Sequence, residues 1–214
     1  MNSEIVVHNF CESRLNNYDP PELFNAYSSL IISIYPLYLG FPENDILFNT
    51  AILFFINGIT SFYYHYKLNY IGKQADEIAM IVSTYYGIWI LLKIFLKQKN
   101  KVNFYNAINT FYMFSFTIVN LDTTFDFYFP FLFGGYLLGF LYLIARISTI
   151  NNIFILKNIF ISLLGGIFWV ISELNCNEVT QYGHIMWHIL FPLGLYRIIL
   201  SVDKSIKNSN LLDN

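Results

Sequence analysis

The sequence predicts an all-α membrane protein: a seven-transmembrane helix bundle with its N-terminus extracytoplasmic or luminal and its C-terminus cytoplasmic. Three observations lead to this fold class. Hydrophobic residues make up 56% of the 214 residues and the mean hydropathy is +0.48, which is more apolar side chain than one globular core of this size can bury. Charged residues make up only 12%, about half of the ~25% typical of a soluble domain. Apolar stretches of span length also recur along the whole chain.

Seven segments are long and apolar enough to cross a bilayer. A helix needs about 20 residues to span ~30 Å of hydrocarbon, and its backbone polar groups must hydrogen-bond within the segment. The predicted spans are 23–41, 46–66, 77–95, 104–121, 127–145, 153–171 and 182–201. Because only short polar connections separate them, we expect one domain, 23–201, after an extracytoplasmic segment, 1–22, and before a short cytoplasmic tail, 202–214.

Basic residues are distributed unevenly between the two sides of the predicted bundle. The side of the C-terminus carries nine of them: Lys93, Lys97, Lys99, Lys101, Arg146, Lys157, Arg197, Lys204 and Lys207. The side of the N-terminus carries three: Arg14, Lys67 and Lys73. Cytoplasmic loops are enriched in Lys and Arg, which predicts a cytoplasmic C-terminus. Cys11 and Cys176 then share the extracytoplasmic face, where they can form a disulfide or remain as unpaired, apolar side chains.

Composition also excludes some function classes. With a net charge of −2, the chain has no basic surface with which to neutralise nucleic-acid phosphates. Its two cysteines form no CxxC pair, which excludes cysteine-based zinc sites. The expected partners are therefore membrane lipids and not nucleic acid, and the oligomeric state is left open.

Three of the four histidines lie at predicted membrane ends on the extracytoplasmic side. His184 and His188 are four residues apart, which places them ~40° and ~6 Å from each other on one helix face. His65 ends the second span at the same leaflet. Such histidines can simply rest among lipid headgroups, but ionisable groups converging near hydrocarbon typically mark a functional site. We therefore expect the three imidazoles to meet.

Ser61 and Asp76 extend this candidate site. Ser61 lies four residues before His65 and shares its face, and Asp76 begins the third span at the same leaflet. Three imidazoles with an open fourth position form a catalytic zinc site, near which Asp76 can act as the base and Ser61 as a donor to the oxyanion. The alternatives are a serine bonded to its own helix and a helix N-cap or first-turn role for Asp76 or Glu77. The apolar interior of the bundle offers a slot for an acyl chain.

Three blocks of the sequence resemble the alkaline ceramidase family of seven-transmembrane, zinc-dependent lipid amide hydrolases. The blocks are Cys11-Glu12 with the later Asn25-x-x-Ser28, Ser61-x-x-x-His65 with the later Asp76-Glu77, and His184-x-x-Trp187-His188. The resemblance implies hydrolysis of the N-acyl amide bond of ceramide to a sphingoid base and a fatty acid, in a membrane of endoplasmic reticulum or Golgi type.

The resemblance also assigns individual residues. It implies zinc ligation by His65, His184 and His188, activation of water by Asp76, and oxyanion support by Ser61. It further implies a disulfide between Cys11 and Cys176.

A calcium site near the N-terminus is the last feature that the resemblance implies. Its ligands here would be the carboxylates of Glu12 and Glu22 and the carbonyl of Phe10. The sequence departs from the family at Asn9, where an aspartate is typical, and at Arg14, where an asparagine ligand is typical. The Arg14 guanidinium could take the place of the cation and pair with both glutamates, or these acids could be solvated first-turn residues.

Two other interpretations of the chain stay open at this point. It could be a related seven-helix zinc hydrolase that acts on another lipid, which would keep the histidines and differ in pocket shape. It could also be a seven-helix receptor or transporter whose histidines bind a ligand or relay protons; such a protein would bind no zinc and release no product from lipid amides.

Overall fold

The computed structural model describes residues 10–16, 19–96, 98–121, 128–147 and 152–209. These residues form helices and no β-strand, which confirms the all-α class. The helices are α1 Cys11–Leu15, α2 Leu23–Leu39, α3 Asp45–Lys67, α4 Tyr70–Phe95, α5 Lys99–Leu121, α6 Phe129–Ile147, α7 Asn152–Leu174 and α8 Gly183–Ser209, with a 3-10 turn at Thr180–Tyr182. Helix α8 continues well past residue 201, so the described part of the predicted tail is helical.

Asparagine side chains determine where α3 and α4 begin. The Asn44 side chain accepts hydrogen bonds from the backbone N–H of Ile46 and Leu47, and the Asn69 side chain accepts one from Gly72 N–H. Both satisfy donors that a first helical turn leaves open. Helix α4 therefore starts at Tyr70 and not at 77, and the N-cap alternative for Asp76 and Glu77 is wrong.

Close backbone contact joins α7 to α8 and α2 to α3. A Cβ added at Gly194 would overlap Asn158 and Ser162 of α7, and one added at Gly183 would overlap the carbonyl of Phe168. Small residues of this kind let two membrane helices approach closely. In the same way, a Cβ at Gly58 of α3 would overlap Ser33 of α2. These contacts fix α3 and α8, the two helices that carry the predicted histidines, relative to their neighbours.

Four described helices are long and apolar enough to cross a membrane by length and composition. They are Asp45–Lys67, Tyr70–Lys93, Ile153–Leu174 and Thr180–Lys207. Leu23–Leu39 and Phe131–Tyr142 are apolar but shorter. Helix α5 falls outside both groups within the described residues, and its sequence is interrupted by asparagines. The chain is thus a helical membrane protein, while the seven-span count and the orientation of the termini stay predictions.

A disulfide fastens the N-terminal helix to the opposite end of the sequence. Cys11 of α1 is bonded to Cys176, which follows α7; the two are separated by 165 positions in the sequence and have a Cα–Cα distance of 5.3 Å. This confirms the pairing that the resemblance implied. The bridge holds α1 beside the start of α8, where His184 and His188 lie.

Candidate metal centre

Three buried histidines meet between the end of α3 and the start of α8. Each of His65, His184 and His188 offers one ring nitrogen, and these nitrogens lie within 4.8 Å of one another. The ring centroids are 4.9 Å apart for His65 and His184, 5.1 Å for His65 and His188, and 4.7 Å for His184 and His188. The predicted convergence of the three imidazoles is confirmed.

Local backbone features bring the three rings to one depth. His65 lies in the last turn of α3, which ends at Lys67 because Leu68 adopts a left-handed conformation with φ of 42°. His184 is the second residue of α8, directly after the tight contact of Gly183 with α7. His188 follows one turn later on the same face.

Two of the histidines have a hydrogen-bond partner on Nδ1. His65 Nδ1 lies 2.5 Å from Glu22 Oε2, and His188 Nδ1 lies 2.8 Å from Ser28 Oγ. The Ser28 hydroxyl donates to the carbonyl of Asn25 and is thereby oriented to accept the Nδ1–H of His188. Partners of this kind fix the tautomer and the orientation of a ligating imidazole, leaving Nε2 for the metal. The residues present therefore fit a transition-metal ion.

His184 has a different environment. Its Nδ1 is buried and makes no hydrogen bond to the described residues, and the carboxylate oxygen Glu173 Oε1 is 3.8 Å away. The Phe10 ring packs edge-on against His184 at a centroid distance of 4.5 Å and against His65 at 5.1 Å. Phe10 thus closes one side of the cluster.

Asp76 and Ser61 lie next to the histidines. Asp76, on the second turn of α4, is buried, and Asn57 Nδ2 donates to its Oδ1 at 3.2 Å. Ser61 lies against the same carboxyl group, and His65 is close enough to act on it electrostatically. Asn57, Ser61 and His65 repeat at intervals of four residues on α3, so that one face of this helix presents all three to the site.

The carboxylates expected to bind calcium are occupied by donors from the protein. Glu12 accepts from the backbone N–H of Phe24 at 2.7 Å and of Asn25 at 2.8 Å. Glu22 Oε1 accepts from Phe10 N–H at 3.0 Å and from Ser13 Oγ at 2.6 Å, while its Oε2 faces His65. The carbonyl of Phe10 accepts from Ser13 Oγ at 3.1 Å. These groups do not fit an open calcium site, and Asn9 lies outside the described residues.

The structure does not show the alternative in which Arg14 pairs with Glu12 and Glu22. Arg14 Nη2 lies 2.8 Å from Glu173 Oε2 at the end of α7 and also donates to the carbonyl of Glu173 at 3.1 Å. Glu12 and Glu22 are buried and accept hydrogen bonds from neighbouring protein groups, whereas the side chains of Arg14 and Glu173 are both partly exposed. Arg14 therefore ties α1 to α7, beside the disulfide.

Burial and hydrogen bonding act in opposite directions on these two glutamates. Burial raises the pKa of Glu12 above its ordinary value, although the N–H groups of Phe24 and Asn25 work against that rise. Burial also acts to raise the pKa of Glu22, but the hydrogen bonds from His65 and Ser13 outweigh it, and the pKa of this carboxyl is lowered. Glu22 is thus an ionised acceptor for His65.

Two adjacent serines test how much a hydrogen-bond partner on His188 Nδ1 contributes to zinc affinity. We expect Ser28→Ala to weaken zinc binding by about 10-fold, because His188 Nδ1 would lose its acceptor. Ser29→Ala is the matched control, since Ser29 is also buried but, among the described residues, its hydroxyl bonds to the carbonyl of Ala26 in its own helix. Competition with a chelating dye measures both affinities, and equal affinities for the two variants would contradict this assignment.

The fold and the site define a helical membrane protein with a buried three-histidine cluster suited to a metal ion. The Ceramidase family model matches residues 6–210, which is nearly the whole chain, and the chain belongs to this family of hydrolases. Alkaline ceramidase 3 of Mus musculus is 25% identical over 205 residues, covering 84% of this chain and 75% of that protein.

Proposed function

We propose that the protein is a membrane-embedded zinc amidohydrolase that cleaves the N-acyl amide bond of ceramide, releasing a sphingoid base and a fatty acid. One observation carries the proposal: three buried imidazoles converge beside a buried aspartate and a serine, in a chain of the Ceramidase family. Three neutral nitrogen ligands are typical of catalytic zinc, and His65, His184 and His188 would supply them.

Zinc held in this way supplies Lewis-acid chemistry, because it lowers the pKa of water and polarises a carbonyl group. The protein contributes the proton transfers and the positioning. Asp76 is the general base that takes the proton of the attacking water and later delivers it to the amine leaving group. Asn57, which donates to Asp76 Oδ1, holds the carboxylate in place for this transfer.

Ser61 is the proposed donor to the oxyanion. Its hydroxyl lies one turn before His65 on α3 and against Asp76, so it can reach a carbonyl oxygen that approaches the cluster. A hydroxyl donor in a buried site stabilises the charge that develops on that oxygen more strongly than it would in water. Phe10, packed against two of the histidine rings, keeps bulk water from this side of the site.

An apolar cavity supports a substrate with long hydrocarbon chains. It has a volume of about 520 Å³ and lies between α4, α5 and α6. Phe116 and Tyr136 line it. Phe116 belongs to a buried apolar cluster, against which both Tyr136 and Trp187, the residue before His188, pack. The cavity is therefore joined to the histidine helix by a shared apolar wall, along which an acyl chain can extend from the site into the bundle.

The orientation of the chain completes the proposal. With seven spans and the predicted charge bias, the site would open toward the lumen or the exterior, and substrate would enter sideways from the bilayer. The Cys11–Cys176 disulfide supports this orientation, because disulfides persist in oxidising compartments.

The proposal is tested by incubating the purified protein with a panel of ceramides and other lipid amides, with and without a zinc chelator. We expect release of a fatty acid and a sphingoid base from ceramide, lost with chelator and restored by zinc. Hydrolysis of another lipid amide but not of ceramide would assign the related hydrolase instead. Absence of product from every lipid, in a protein that binds no zinc, would favour a receptor or transporter.

A further inference from the structure

The carboxylate of Glu173 lies beside the histidine cluster. Its Oε1 lies 3.8 Å from His184 Nδ1 and accepts a hydrogen bond from Cys11 N–H at 3.4 Å. His184 Nδ1 is buried and has no hydrogen-bond partner in the part of the chain that the structure describes, whereas the corresponding nitrogens of His65 and His188 have Glu22 and Ser28. Glu173 is thus the acceptor that faces the one histidine still lacking an outer partner.

The carboxylate of Glu173 is itself held in place from the other side. Arg14 Nη2 binds its Oε2 at 2.8 Å and its backbone carbonyl at 3.1 Å. The same segment is fixed by the Cys11–Cys176 disulfide and by a hydrogen bond from Asn16 to Gln181 at 2.9 Å. With Oε2 engaged by Arg14, Oε1 is directed toward Cys11 N–H and His184.

We infer that Glu173 is a positioning residue of the metal centre, which accepts the Nδ1–H of His184 when the metal is bound and is itself oriented by Arg14. This inference rests on the metal centre of the proposed function. A ligating imidazole whose second nitrogen lacks an acceptor binds its metal less tightly, because neither the tautomer nor the ring orientation is fixed. Glu22, Ser28 and Glu173 would then each orient one of the three ligands.

Sequence reasoning did not find this role, because Glu173 lies outside the quoted motifs and near the end of a predicted span. For Arg14, the sequence suggested only Glu12 and Glu22 as possible partners. Because a partly exposed ion pair stabilises a protein little by itself, the pairing of Arg14 with Glu173 matters mainly through the orientation that it gives the carboxylate.

The experiment measures zinc affinity of the full-length protein in detergent by competition with a chelating dye, independently of catalysis. We expect Glu173→Ala to bind zinc about 10- to 100-fold more weakly than the wild type, as is usual on loss of an outer-shell partner. Glu173→Gln keeps an acceptor oxygen and should restore part of the affinity. Arg14→Met, which leaves Glu173 in place, should lose less than Glu173→Ala. The double variant Arg14→Met, Glu173→Ala should match Glu173→Ala alone.

The exposed pair of Glu43 and Lys207 provides the matched control. Its atoms are also 2.8 Å apart but it joins the other ends of α3 and α8, so Glu43→Ala should bind zinc as the wild type does. If Arg14→Met and Glu173→Ala lose affinity equally, Glu173 only tethers α1 and the inference is overturned.

Two further results separate this inference from others. If Glu173→Ala does not accumulate as folded protein, the zinc affinity of Glu173→Gln is compared with that of the wild type instead. Weaker zinc binding by Glu173→Gln supports the positioning role of Glu173, and wild-type affinity overturns it. A wild-type protein that binds no zinc would remove the proposed function itself, whereas zinc binding that is unchanged in both Glu173 variants would remove only the positioning role.

Discussion

Replacing His188 by alanine is expected to abolish both zinc binding and ceramide hydrolysis. The variant removes one of the three converging imidazoles and leaves two, and the cluster has no other described histidine to replace it. The loss of affinity should exceed the ~100-fold that removal of an outer-shell partner can cost. Metal analysis of the purified variant and a ceramide assay measure the two effects.

The fourth histidine of the sequence supplies the control for this variant. His8→Ala removes an imidazole outside the described residues and should retain zinc. If His188→Ala were to carry as much zinc as the wild type, the three-histidine centre would be refuted. Lost activity with retained zinc would instead mean that His188 acts on the substrate.

Asp76→Asn is expected to separate catalysis from metal binding. The amide is similar in size to the carboxylate and can keep the contact with Asn57, but it cannot take a proton from water. We therefore expect kcat to fall by about 10²- to 10⁴-fold, the usual contribution of a general base, while the zinc content stays at the wild-type level.

The adjacent acid provides a matched comparison. Glu77 is also buried, but its carboxylate binds Asn120 of α5 and lies 3.5 Å from Lys73 Nζ. Glu77→Gln should accordingly lower kcat far less than Asp76→Asn. Wild-type kcat in Asp76→Asn, or equal losses in the two variants, would exclude Asp76 as the specific base.

Much of the fold could be predicted because apolar segments and helices coincide in a chain of this composition. All seven predicted segments overlap helices α2 to α8. Helix boundaries were less accurate where polar residues lie inside a helix: α4 begins at Tyr70 because Asn69 caps it, although Lys73, Asp76 and Glu77 follow. These polar residues are buried inside the bundle, so hydropathy along the chain did not indicate that they are helical.

The histidine cluster could be predicted from spacing, whereas its partners could not. His184 and His188 are four residues apart, and His65 ends a helix at the same depth. Glu22 contacts His65 from the residue before α2, and Ser28 contacts His188 from α2 itself. These contacts depend on how the helices pack against each other, which residue spacing within one segment does not predict. Asn57 could have been predicted as a site residue, because it lies four residues before Ser61, just as Ser61 lies four residues before His65.

The extended X-ray absorption fine structure at the zinc edge, measured on the wild-type protein loaded with one equivalent of zinc, tests the three-histidine centre most directly. We expect a first coordination shell that contains three imidazole nitrogens at about 2.0–2.1 Å, with the outer-ring scattering that imidazole produces. A spectrum of hydrated zinc, or one fitted by oxygen ligands without imidazole, would show that His65, His184 and His188 do not share a metal ion and would contradict the proposed centre.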